Sequence, residues 1–124
     1  MTMILDERGL PAGHPFNPDW ECTPRDTARR MEDGEPLLID CRTDRERELT
    51  MIEGSMHVPV SELAEHLDDL REHEDRELVV YCHHGVRSLQ VTQWLRHEGF
   101  ENVRSLTGGI DLWSQVVDGS IPRY

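Results

Sequence analysis

One cysteine opens the stretch best equipped for chemistry: Cys82-His83-His84-Gly85-Val86-Arg87-Ser88. The apolar run Leu78-Val79-Val80-Tyr81 leads straight into it. Such a run, ending at a turn, reads as a strand buried on both faces. A helical pattern begins at Ser88, with Leu89, Val91, Trp94 and Leu95 on roughly one face and Gly99 as a stop. The thiol is therefore expected on a short loop between the C-terminal end of a central strand and a helix N-terminus. Open α/β sheets place their ligands there. Backbone N–H groups curled around such a loop make an anion-binding nest, and the helix adds its positive dipole end. Both favour thiolate over thiol and should bring the pKa below the ordinary value of about 8.5. Gly85 can take positive φ or let backbone approach closely, and Arg87 can brace the loop while adding positive potential. A lone cysteine is more often a small core residue, but strand, glycine, arginine and helix start coincide here. Cys82 is read as a nucleophile on the rim of this loop, with His83, His84, Gly85, Val86, Arg87 and Ser88 as the groups that bind substrate.

The run Cys82-x-x-Gly85-x-Arg87-Ser88 after an apolar strand resembles the active-site loop of the rhodanese-like sulfurtransferases. Upstream, Leu38-Ile39-Asp40-Cys41-Arg42 resembles that family's Asp-x-Arg strand end, and Ile52-Glu53-Gly54-Ser55-Met56-His57-Val58-Pro59 resembles its glycine- and proline-containing segment. Downstream, Thr107-Gly108-Gly109-Ile110-Asp111-Leu112-Trp113 resembles its Gly-Gly-x-x-x-Trp close. The four motifs follow in family order over residues 20 to 117. The resemblance implies an α/β fold, rhodanese-like, with a mostly parallel central sheet and helices on both faces. It also implies sulfur transfer: Cys82 takes a sulfane sulfur from thiosulfate or a persulfide donor and passes it to a thiol acceptor, without metal or organic cofactor. Asp40 and Arg42 would then be structural supports that hold loops in place. Met51 stands where the family has a histidine, a departure that touches packing.

Alternatives stay open at this point. Phosphatases and arsenate reductases of the same fold use a similar loop, with one residue more between cysteine and arginine than the four found here. A shorter ring makes a smaller cup, suited to one sulfur atom. A silent, partner-binding module would be marked by loss of the cysteine, which is present. A sulfur relay fed by a partner's persulfide is equally compatible. In thiosulfate-preferring relatives the second residue after the cysteine is often a fixed cation, whereas His84 is only partly charged near neutrality. That departure bears on donor choice, not on sulfur transfer.

Composition narrows the classes further. The chain has 124 residues and a net charge of −12, and arginine supplies all 13 of its basic residues. Such a surface repels phosphate backbones, which argues against nucleic-acid binding. An anion site must instead depend on local dipoles and Arg87. No apolar stretch approaches the ~20 residues of a membrane span, and the N-terminus lacks a signal-peptide pattern. Cys22, Cys41 and Cys82 are odd in number and widely spaced, which disfavours a disulfide framework or zinc site. The expectation is a cytoplasmic protein whose partners are a small anionic sulfur donor and a thiol acceptor, either of which could be a protein persulfide or thiol.

The remaining elements must position the loop. Residues 1–19, rich in Gly and Pro, read as an extended N-terminal arm with Phe16 pinned to the body, and 20–124 as the rhodanese-like domain. Trp20 to Cys22 reads as an edge strand. Thr23-Pro24 starts a helix to about Glu32, Leu37 to Cys41 a buried strand, and Thr43 to Glu46 a capping box. His57 to Val60 reads as a short strand and Ser61 as the cap of a helix carrying Leu63, Leu67 and Leu70. Val103 to Leu106 is a further strand. Thr107 is expected to cap a last helix with Leu112, Trp113 and Val116 facing inward. Cys41 is read as a small core residue, with a second thiol near the site left open. His57 is read as structural.

Overall fold

The structure, a computed structural model, describes residues 3–124. The apolar segment before Cys82 forms β4 (Glu77–Tyr81), and a five-stranded sheet is arranged around it. The other strands are β1 (Glu21–Cys22), β2 (Pro36–Asp40), β3 (Met56–His57) and β5 (Val103–Leu106). Their spatial order is β1-β5-β4-β2-β3, and every pairing is parallel. Parallel neighbours need crossover helices. These are α1 (Pro24–Glu32), α2 (Asp44–Leu49), α3 (Leu67–Arg71) and α4 (Val86–His97), and α5 (Gly109–Val116) follows the last strand.

Side-chain alternation along β4 feeds two cores. Leu78, Val80 and Cys82 pack with Ile39, Cys41, Leu70, Val91 and Leu95 beneath α3 and α4. Val79 and Tyr81 pack with Leu38, Ile110 and Trp113 on the opposite face, against α1 and α5. Because both faces are covered, the strand reads as a continuous apolar run rather than an alternating one. The expected architecture, a parallel sheet with helices on both faces, is the one observed.

Several local expectations shift. Helix α4 begins at Val86, not Ser88, so the connection after Cys82 is only His83-His84-Gly85; Gly85, at φ 105°, can serve as cap because it carries no Cβ. No continuous helix starts at Ser61. Val60–Glu62 is a 3₁₀ turn and only Leu67–Arg71 is α-helical. The Val60 amide is held by the Cys41 carbonyl at 3.1 Å, which ties this segment to the sheet edge in a tighter, three-residue course. Leu63 and Leu70 still reach the core. Thr107 does not cap α5. The cap is Gly108, and the Thr107 hydroxyl instead meets His14 Nε2 at 3.1 Å. The N-terminal arm is a folded loop closed by Asp6 on Leu10, and its anchor is Leu10, fully buried; Phe16 stacks with Arg8.

The C-terminal end of β2 carries a charged pair inside the protein. Asp40 and Arg42 are both fully buried and joined by two bonds of 2.8 Å, from Arg42 Nε and Nη2 to the two carboxylate oxygens. Arg42 also donates to the Thr50 carbonyl at 2.6 Å and to Tyr124 Oη at 3.0 Å, while Arg47 reaches Asp40 at 3.2 Å. Burial works against ionisation of Asp40, yet Arg42 and Arg47 together hold it below its ordinary value. Removing one partner of such a pair strands the other charge away from water. Arg42→Met should therefore cost about 3–5 kcal/mol in urea unfolding. A depressed carboxylate contributes stability that is complete above its unfolded pKa of about 3.9 and is lost as pH falls below it. The parent should accordingly lose stability steeply in that acid range, as followed by circular dichroism.

Candidate active site

Cys82 follows the last residue of β4, and its sulfur lies under the turn that leads into α4. Gly85 N–H donates to Cys82 Sγ at 3.1 Å and Ser88 N–H at 3.4 Å. Ser88 Oγ stands 3.4 Å from the same sulfur and is itself bonded to Ser105 Oγ on β5 at 2.7 Å. On the other side, across β2, lies Cys41. The register pairs Asp40 with Tyr81, so the next residues, Cys41 and Cys82, fall side by side just past the ends of β2 and β4. The Cys82 sulfur thus lies between Cys41, past the end of β2, and Ser88 of α4, with the Gly85 and Ser88 amides aimed at it.

These donors set its acidity. The Cys41 thiol is the largest influence, burial opposes it, and the Ser88 hydroxyl and the Ser88 and Gly85 amides add to it; together they lower Cys82 from 9.0 to about 5. The proton stays on Cys41, whose pKa is pushed far up by its contact with Cys82 and by burial. At neutral pH the site therefore holds a thiolate beside a thiol. Cys82 is only 1% exposed, so it lies at the floor of the loop and not on its rim.

A glycine pair braces the turn from below. Ile110 N–H donates to the Cys82 carbonyl at 2.9 Å and Asp111 N–H to the His83 carbonyl at 3.1 Å. A Cβ on Gly109, at φ 62°, would collide with those same carbonyls. The Gly108-Gly109 motif is what lets the start of α5 come this close.

The other expected site residues take different places. Ser88 is fully buried and bonded to the sulfur's surroundings. Arg87 turns away from the sulfur and makes a two-pronged pair with Glu46 of α2, at 2.6 and 3.0 Å. Val86 is 69% exposed at the mouth. His83 stacks on Tyr124 with ring centroids 3.9 Å apart and lies beside His84; burial, then the neighbouring His84, lowers its pKa. His84 is exposed, with Nδ1 3.8 Å from Asp111. It stands between two shallow grooves, of about 430 and 260 Å³, that share His14 and Gly108. Asp40 and Arg42 do not line the cup. They form the buried pair at the base of the α2 connection, and His57 Nε2 meets the Arg42 carbonyl at 2.8 Å.

Glu46 and Tyr124 were not legible as site residues. Glu46 closes the capping box on Thr43, holds Arg87, and accepts the Tyr124 hydroxyl at 2.6 Å. Arg87 foremost holds its carboxyl well below the usual carboxylate range. The capping box was visible in Thr43-x-x-Glu46, but not the second use of the same carboxylate. Tyr124 sits in a turn-rich tail with no periodic signal at all. No group of acidic, cysteine or histidine residues among the described residues is arranged to hold a metal ion, and no helix among them is long and apolar enough to cross a membrane.

Comparison with known proteins bears on the family and the fold. The chain is 36% identical over 108 residues to the adenylyltransferase and sulfurtransferase MOCS3-2 of Zea mays, covering 82% of this chain and 22% of that protein. It is 34% identical over 84 residues to the tRNA uridine(34) hydroxylase of Escherichia fergusonii, covering 64% and 24% respectively. The chain thus spans about a quarter of the length of these two relatives. Among solved structures, the human single-domain sulfurtransferase TSTD1 superposes with a TM-score of 0.69 at 28% identity, over 77% of this chain and 95% of its own. The reduced Bacillus anthracis CoADR-RHD gives 0.73 at 27%, over 82% and 18%. The family model described as "Rhodanese-like domain" matches residues 23–116, and this chain belongs to that family.

Proposed function

We propose that the domain is a sulfurtransferase that carries a sulfane sulfur on Cys82. The carrying observation is the Cys82 sulfur at the floor of a three-residue turn, with Gly85 and Ser88 amides aimed at it. The thiolate attacks the outer sulfur of a donor. With thiosulfate, the S–S bond breaks, sulfite leaves with the electron pair, and Cys82 becomes a persulfide. A thiolate acceptor then attacks the outer sulfur and regenerates Cys82. Negative charge is never lost from the cup, so the same fixed donors serve both steps without reorganising. Asp40 and Arg42 hold the loop framework, and Arg87 locks the first turn of α4 to α2 through Glu46. The grooves beside His84 are the approach for donor and acceptor. The small cup suits one sulfur atom better than a tetrahedral phosphate.

Relay from a protein persulfide is a second form of the same activity, favoured by one observation. Among the described residues the nearest fixed cation, Arg87, is paired with Glu46, and the mouth itself is lined by histidines, of which His84 already faces Asp111. The strong acidity of the chain adds no long-range attraction for a dianion. The larger activities named for the maize and Escherichia relatives belong to proteins about four times as long. For this chain the proposal covers the sulfur-handling step, in a cytoplasmic setting.

Cys82→Ser should abolish persulfide formation, read by intact mass after exposure to thiosulfate or a persulfide donor. A persulfide on Cys22 or Cys41 in that variant would overturn the assignment. Iodoacetamide should modify the parent with a rate that rises through a midpoint near pH 5, as the lowered thiolate pKa requires. Cys41→Val removes the largest stabilising donor, so its midpoint should lie higher by at least one pH unit, about 1.4 kcal/mol of thiolate stabilisation. His84→Lys should lower KM for thiosulfate roughly fivefold, the effect of about 1 kcal/mol from one fixed charge at a partly exposed site.

A further inference from the structure

We propose that Cys41 is a resolving thiol: it discharges the Cys82 persulfide as hydrosulfide and closes a Cys41–Cys82 disulfide. The inference rests on the persulfide chemistry proposed above, and adds to it a release route that needs no external acceptor.

Three observations place the two sulfurs for this step. The parallel register sets Asp40 opposite Tyr81, and Cys41 N–H donates to the Tyr81 carbonyl at 3.1 Å, so the pairing continues to residues 41 and 82. Adjacent strands lie about 4.8 Å apart, inside the roughly 4.4–6.8 Å that separates Cα atoms across a disulfide. Both side chains face the same core, with Val80 and Ile39, and each thiol is the largest influence on the acidity of the other. Both residues are 1% exposed, so a bulky acceptor reaches neither as readily as they reach each other. Cys22, the remaining thiol, packs in the opposite core and takes no part.

The step balances without an added oxidant, because the sulfane sulfur is the oxidant. The Cys41 sulfur forms a bond to the inner sulfur of the Cys82 persulfide. The bond between inner and outer sulfur breaks, the outer sulfur leaves with the electron pair, and the Cys41 proton goes with it as HS⁻. Before loading, Cys41 is held as a thiol by its contact with Cys82 and by burial. Once Cys82 carries the extra sulfur, its charge resides one atom further out, and the contact that holds the proton on Cys41 weakens. The Gly85 and Ser88 amides that steadied the thiolate now support the departing sulfur. Proximity of this kind replaces a bimolecular encounter with an internal one. A dithiol reductant would return the pair to its resting state by ordinary exchange.

The experiment loads the full chain with thiosulfate, removes excess donor, and follows intact mass and free sulfide in the absence of any thiol. The expected result is a species one sulfur heavier that converts to one two hydrogens lighter than the parent, with sulfide released in equal amount. A non-reduced digest should link the peptides of Cys41 and Cys82. Cys41→Ser and Cys41→Val, loaded at alkaline pH and checked for native circular dichroism, should keep the persulfide and lose it roughly tenfold more slowly. A parent persulfide that persists, or that decays without the disulfide, overturns this inference and leaves the sulfurtransferase reading intact. A parent that never gains sulfur, and never forms the disulfide, overturns both.

Discussion

A sulfur anion sealed beneath a turn is a costly thing to bury, and this domain is arranged so that the cost is met by donors already in place. Cys82 has almost no contact with solvent, yet its pKa is lowered to about 5, because the Cys41 thiol, the Ser88 hydroxyl and two amides converge on it. Burial alone would raise the pKa. The opposite outcome depends on three separate parts of the chain being held in register: β2 for Cys41, β5 for the serine behind Ser88, and the first turn of α4 for the amides. Loss of any one exposes the charge to an apolar environment without compensation. The sheet is the rigid body that keeps all three within bonding distance.

The second layer of organisation is charge pairing around a few hubs. Glu46 joins a helix start, the active-turn arginine and the tail tyrosine; Asp40 and Arg42 join β2, the α2 connection and the same tyrosine. Arginine suits these roles because its planar fork satisfies several acceptors at once. Such pairs contribute little net stability over apolar packing. What they supply is a single arrangement of the loops around Cys82. The high negative charge of the chain lies mostly on exposed surfaces, and leaves the field at the cup to be set locally by amides and thiols.

The comparison of Cys22, Cys41 and Cys82 shows how position alone separates thiol chemistry. Cys22 lies in the opposite core, accepts from the Thr27 hydroxyl at 3.2 Å, and is pushed up to about 11 by burial. Cys41 is equally buried but lies beside a thiolate, and acts as its donor. Only Cys82 sits where a strand end, a glycine cap and a helix start coincide.

Much of this was legible in the residues. The apolar run into Cys82, the Thr23 and Thr43 caps and the strand at Val103–Leu106 depend on neighbours within a few positions, and local sequence records such constraints directly. Gly85 and the Gly108-Gly109 pair could be marked as close approaches, though not what approached them. The split of the Ser61 helix was not visible, because a carbonyl of another strand, Cys41, captured the Val60 amide. Nor was the true start of α4, since Gly85 alone decides it by adopting a left-handed φ. The partners of Arg87, the placement of Tyr124 and the pairing of Cys41 with Cys82 link residues about forty to eighty positions apart. Sequence periodicity reports which face of an element is buried; strand register and the return of a tail across the site are decided only when the whole sheet closes.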